Sequence, residues 1–357
     1  LENPDGAGYR TARKTRPLTL MAEIILGMGT THGPLLATPP DAWDGRAEVD
    51  RKNPALAYRD GTYSFDELYE TRKDKYFDEQ NSLAVRTEYF NRCQVALDGL
   101  GDTAEAAKPD VMVIVGDDQH EWFLDAVQPS FAIYHAGQVT NYALDEETKD
   151  WHRAFGRGHS MGMNHPETDQ IYPVADALAV HMIEQTIEED FDTSSSGAQP
   201  IGDKGPRNIG HAYGFVVRRI LRDKPMPIVP VLINTYFPPN QPTAKRCYDY
   251  GKALGRAIKS WDTKARVAVS ASGGMSHFVI DEALDKRLID ALLNRDEAAL
   301  TAEPEFSFRS GNSEIKNWII VAGICAETDM EMTLHDYVPC YRSEAGTGSG
   351  MAFATWS

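Results

Sequence analysis

The sequence is short of positive charge and of organised cysteine. Of its 357 residues, 36 are Lys or Arg and 53 are Asp or Glu, a net charge of -17. A surface this acidic repels phosphate backbones, which argues against nucleic acid as a partner. The four cysteines, Cys93, Cys247, Cys325 and Cys340, show no C-x-x-C spacing. That argues against a zinc ribbon or a disulfide framework and suits a reducing cytoplasm. No apolar run reaches the ~20 residues of a membrane-spanning helix, so no membrane partner is expected. A Walker A loop is missing. The glycine-rich stretch Gly346-Thr347-Gly348-Ser349-Gly350 precedes no useful helix and reads as a turn.

What is present is ordinary globular composition, 42% hydrophobic and 25% charged, with ample length to bury a core. Residues 1–20 carry Arg10, Arg13, Lys14 and Arg16 and no apolar segment. They read as an upstream extension and not as a secretory signal. Residues 21–357 show no internal repeat and no convincing linker, and are taken as one catalytic domain. The stretch Ser194-Ser195-Ser196-Gly197 reads as a flexible connection.

Val/Ile-rich runs at 24–28, 111–115, 131–134, 227–233 and 265–270 are continuous and not alternating, as expected of strands covered on both faces. Amphipathic helices are expected over 86–97, 173–189, 243–260, 281–293 and 313–325, with Ser64 capping another through a Ser-x-x-Glu start. The alternation predicts an α/β fold: a central mixed sheet flanked by helices on both sides. Two polar, Gly/Pro-rich segments, 39–62 and 141–168, are expected as long loops over the active site, with room for extra helices.

Ten histidines are present, and four stand out by position. His32 follows the first strand in Thr-Thr-His-Gly-Pro. His120 follows the 111–115 strand, and His277 follows the 265–270 strand after a Gly-Gly pair. His211 opens a helical stretch. In an open α/β sheet ligands bind beyond the carboxyl ends of strands, where three of the four sit. Any one alone reads as a turn-capping residue. The four together with Glu314, an acid at the polar start of an apolar run, point to a metal or acid/base site. Two histidines and a carboxylate leave half of an iron's coordination sphere open for substrate and oxygen.

These segments resemble the class III extradiol ring-cleavage dioxygenases, of the protocatechuate 4,5-dioxygenase catalytic-subunit type. The resemblance runs from about Ala22 to Trp356. It is carried chiefly by Thr31-His32-Gly33-Pro34, Gly273-Gly274-Met275-Ser276-His277 and Ser310-Gly311-Asn312-Ser313-Glu314. It implies Fe(II) as cofactor, a catechol-type aromatic diol and O2 as substrates, His32 and Glu314 as iron ligands, His277 as acid/base, and His211 as a contact to substrate or oxygen. The family's second histidine ligand directly follows an Asn-Asp pair. Here Asp117-Asp118 is followed by Gln119, and His120 comes one later. His120 is preferred as the ligand, because imidazole suits ferrous iron better than an amide oxygen. Gln119 is the alternative, favoured by direct counting. Arg309 and Arg342 are candidates to pair a ring carboxylate, with salt bridges unrelated to substrate as the competing reading. A cytoplasmic homo-oligomer, most simply a dimer, is expected. Two other readings remain: a same-fold metal enzyme of different chemistry, and a binding homologue that has lost the iron.

Overall fold

The computed structural model describes residues 20–357 except 76, 155–157 and 204; most of the basic 1–20 segment therefore lies outside the described residues. Nine strands form one mixed sheet. They are β1 (Glu23–Thr30), β2 (Val111–Asp117), β3 (Phe131–Tyr134), β4 (Ser194–Ser196), β5 (Ile228–Ile233), β6 (Arg266–Ser272), β7 (His277–Val279), β8 (Met332–Tyr341) and β9 (Thr347–Trp356). The order across the sheet is β7-β9-β1-β6-β2-β5-β3-β4, with β8 also pairing to β9. Strands β1, β6, β2 and β5 run parallel, and β9 and β3 flank them antiparallel.

The continuous apolar runs are explained by burial on both faces. In β2, Val111, Val113 and Val115 join one core, and Met112 and Ile114 join the other. The first core is covered by α2 (Asp176–Glu188), α4 (Ala244–Ser260), α5 (Glu282–Leu293) and α6 (Ile315–Ala326). The second is covered by α1 (Leu83–Ala107) and the short α3 (His211–Phe215). Helices α4 and α6 touch backbone to backbone: a Cβ on Gly251 would lie 2.1 Å from the Ile320 carbonyl oxygen. The expected central mixed sheet with helices on both sides is what forms.

Two local readings are corrected. Ser194–Ser196 is an edge strand paired to β3, not a free connection. The Gly346–Gly350 stretch leads into β9, which is buried along its whole length. The 39–62 and 141–168 segments hold short elements, including helices Asp44–Arg51 and Glu146–Ala154 and the hairpin Leu56–Tyr58/Gly61–Tyr63. Ser64 does cap its helix: its hydroxyl accepts from Glu67 N, while Glu67 Oε2 accepts from Ser64 N.

Candidate metal centre and active site

The parallel strands bring their carboxyl ends to one edge, and the candidate residues gather there. His32 lies just beyond β1, Asp117 ends β2, Gly273 and Gly274 follow β6, and Glu314 closes a 3-10 turn before α6. His211 starts α3. One donor atom from each of His32, Asp117, His211 and Glu314 lies within 4.8 Å of the other three.

Each imidazole is held from behind. His32 Nδ1 is 2.9 Å from Ser272 Oγ, and that hydroxyl gives its proton to Ala212 O at 2.7 Å. Ser272 can then only accept from the ring, so His32 is protonated at Nδ1 and turns a bare Nε2 inward. His211 donates from Nδ1 to Glu121 Oε2 at 2.9 Å, and its backbone N–H donates to the other oxygen at 2.7 Å. Burial would raise the Glu121 carboxyl, but His211 outweighs it and holds it below the ordinary range, so Glu121 is a pure acceptor. The two Nε2 atoms face each other at 3.1 Å. Glu314 Oε2 lies 3.2 Å from His32 Nε2, and Asp117 Oδ2 lies 3.9 Å from His211 Nε2.

Two inward lone pairs and two carboxylates cannot sit this close without a cation between them. In the absence of metal that cation is a proton. Burial disfavours charge on His211, yet Glu121, Asp117 and Glu314 overcome this and push its pKa up to about 10. A metal ion meets the same demand. Two donors bound at ~2.1 Å and at right angles lie ~3 Å apart, and the observed separations are 3.1 and 3.2 Å. The residues present therefore fit a metal centre. Nitrogen and carboxylate donors suit a first-row divalent ion. Burial raises the Asp117 carboxyl, helped by Glu314. Burial would also raise Glu314, but His277 and His32 hold it well below the ordinary range.

His277 stands on the rim. Its Nδ1 donates to Met275 O at 2.7 Å, and its Nε2 lies 3.2 Å from Glu314 Oε1. Burial lowers its pKa, but Glu314 outweighs this and leaves it raised. The glycines before it permit the approach: a Cβ on Gly273 would lie 2.9 Å from the Glu314 side chain, and Gly274 N donates to Glu314 Oε2 at 2.8 Å.

The structure thus brings together His32, His211, His277 and Glu314. Gln119 joins them, its amide donating to Asp117 Oδ2 at 2.9 Å and Glu314 Oε1 at 3.2 Å. His120 is not brought in. It takes a left-handed backbone, φ 61°, and its ring stacks on Phe237 with centroids 3.5 Å apart. Asp118 causes the reversal by accepting the N–H groups of Trp122 and Phe123. Arg342 pairs through Nε and Nη2 with buried Asp50, and Arg309 donates through Nε and Nη2 to the carbonyls of Arg59, Gly61 and Phe306.

Sequence reasoning missed three groups. Asp117 carried one signal, an acid ending a wholly apolar strand. Glu121 and Ser272 carried none, since their roles exist only through His211 and His32.

Residues 84–348 match the family described as the catalytic LigB subunit of aromatic ring-opening dioxygenase. A gallate dioxygenase of Pseudomonas putida is 30% identical over 161 residues. That match covers 41% of this chain and 44% of the relative, so the chain spans less than half the length of that protein. The glycine turn with His277, the strand-end Asp117 and His211 all lie inside the matched span. The chain belongs to the family of catalytic LigB subunits of aromatic ring-opening dioxygenases.

Proposed function

We propose that the protein is a non-haem Fe(II) extradiol dioxygenase. It opens the ring of a catechol-type aromatic, of the protocatechuate or gallate kind, and incorporates both atoms of O2. The observation that carries this reading is the pair of inward imidazole nitrogens between two buried carboxylates, in a family of ring-opening dioxygenases. His32, Glu314 and His211 would hold the ion, with Asp117 beside them. Gln119 reaches the same carboxylates and is the alternative third donor, in place of His120. Ferrous iron bound there supplies a common attachment point for the diol and O2 and the one-electron chemistry that O2 requires.

The chain's own residues do the rest. Ser272 and Glu121 keep both imidazoles in the tautomer that faces inward. His277 points Nε2 toward the same space, where it accepts the proton of a substrate hydroxyl and returns it later in the reaction. Holding both reactants beside one base converts a bimolecular encounter into a local one. A cytoplasmic homo-oligomer that needs no second polypeptide is part of the same proposal.

A second reading has an observation in its favour. Gln119 stands where the resemblance calls for histidine, and His120 faces Phe237, which favours a metal enzyme of different chemistry on the same fold. One experiment separates the readings. Protein reconstituted with Fe(II) under anaerobic conditions is assayed for metal per chain, then for oxygen uptake with protocatechuate, gallate and catechol. Uptake with a yellow ring-opened product is expected. Bound iron without uptake on any diol supports the second reading. Failure to bind iron points to a binding homologue.

A further inference from the structure

The turn that carries His277 is gripped by a carboxylate from outside the metal centre. Asp285 lies on α5, one turn after the helix-capping Asp281, and is fully buried. Its Oδ1 accepts the backbone N–H of Ser276 at 2.7 Å. Its Oδ2 accepts the Ser276 hydroxyl at 2.6 Å and the Tyr337 hydroxyl at 2.7 Å. The Ser276 hydroxyl in turn accepts from Asp281 N at 2.8 Å. Strand β9 makes room, since a Cβ on Gly350 would lie 2.4 Å from Asp285 Oδ2. That strand also holds the turn by its backbone, with Met275 N donating to Gly350 O and Gly350 N donating to Ser276 O.

The clamp acts on the peptide next to the acid/base. Ser276 precedes His277, and the carbonyl that takes the His277 Nδ1 proton belongs to Met275. Holding Ser276 by both its N–H and its hydroxyl fixes the Met275 and His277 backbone on either side. Asn312 Oδ1, accepting from His277 N at 2.8 Å, supplies the remaining restraint. A fully buried acid that receives three donors is a costly way to fill a core position, and an apolar side chain would pack there without desolvating charge. What the acid adds is direction. A partner group that orients a functional imidazole is commonly worth 10–100-fold in activity.

We propose that Asp285 is the positioning residue of His277. Through Ser276 it sets the tautomer of the ring and the place of Nε2 beside Glu314, without touching substrate or metal. The assay of turnover rests on the dioxygenase reading; the ring readout below does not.

The test uses the full chain carrying Asp285→Asn, Ser276→Ala or Tyr337→Phe. Each variant is checked for metal per chain, for kcat and KM, and for the 15N resonances of the His277 ring in zinc-loaded protein. Asp285→Asn is expected to keep its metal, to lose on the order of 10–100-fold in kcat with KM changed by less than about threefold, and to shift the His277 ring signals away from the Nδ1–H tautomer. Tyr337→Phe leaves the carboxylate in place and is expected to move kcat and ring signals in the same direction by a smaller amount. Ring signals unchanged in Asp285→Asn and Ser276→Ala overturn the proposal, as does loss of metal in a folded Asp285→Asn. If Asp285→Asn does not fold, unchanged ring signals in Ser276→Ala and Tyr337→Phe decide against it. Shifted ring signals in protein that opens no diol ring uphold the positioning role while removing the dioxygenase reading.

Discussion

Two turns leave the same edge of the sheet from neighbouring parallel strands, and each carries a histidine within five residues of its strand. After β6, His277 arrives at the metal centre. After β2, His120 does not. The difference lies in what anchors the turn. Behind β6, the Asp285 carboxylate reaches back from the helix that follows the turn, nine residues on, and grips Ser276, and two glycines let the backbone lie against Glu314. Behind β2, the Asp118 carboxylate folds back onto its own loop, capping Trp122 and Phe123, and the chain reverses with His120 on the outside of the bend. A turn gripped by the helix that follows it aims its side chain into the site; a turn closed by its own carboxylate aims it elsewhere.

The comparison can be broken most severely at Glu314. Glu314→Ala is expected to weaken metal binding by at least on the order of 100-fold, because it deletes the carboxylate that faces both His32 and His277. Metal titration of the apo protein checks this. Retained affinity there, with loss in His120→Ala, would reverse the roles assigned to the two turns. Next comes His277→Ala, which should keep its metal and lose 10²–10⁴-fold in kcat, the usual range for a general acid–base group. Near-normal turnover in steady-state assays would remove the β6 turn from the chemistry.

A smaller effect reads the anchoring acid of the β6 turn by pH. Burial pushes the Asp285 pKa up to about 6, against the donors from Ser276 and Tyr337 that pull it down and with Asp281 adding a little upward. A raised folded-state pKa means that the stabilising contribution is complete below the unfolded value near 3.8 and is lost as pH rises through about 6. Wild type should therefore lose on the order of 2 kcal/mol relative to Asp285→Asn between pH 4 and pH 7. Urea unfolding at pH 4.5, 6 and 7.5 reads that slope, and parallel curves for the two proteins would count against it. Smallest of all, His120→Ala should leave metal content intact and change kcat by less than about threefold. It should cost about 0.5–1.5 kcal/mol of stability through the lost stacking on Phe237, measured by the same unfolding assay.

The sheet was largely legible because its parallel strands are long β-branched runs. Val111–Asp117 needs no context to read as a buried strand. The antiparallel end was not legible. Strand β9 reads Thr-Gly-Ser-Gly-Met-Ala-Phe-Ala-Thr-Trp, and its small residues follow from what presses on it: the Asp285 carboxylate at Gly350 and the Cys340 backbone at Gly348. Small residues chosen by neighbours look like a turn when the neighbours are unknown. At the site, His32 and His277 could be chosen because a histidine just beyond a strand is uncommon without a cause, and His211 and Glu314 because each stands where a polar stretch opens a helix. Choosing between Gln119 and His120 needed the sign of one backbone torsion, and that sign is set by Asp118 closing its own loop. Periodicity carries no information about it.

The placement of β9 has a consequence for how the molecule is made. Thr31, the neighbour of His32, exchanges hydrogen bonds with Ala352, 321 residues later in the chain. At 5–20 residues per second of synthesis, the first strand waits roughly 15–60 s for the partner that pins its carboxyl end. Both sheet neighbours of β1, β6 and β9, are made late in the chain, so β1 has two open edges until β6 emerges and one until β9 does. Folding dominated by so distant a pairing is slow. The cluster of His32, Asp117, His211 and Glu314 is therefore completed only in the last stage of assembly.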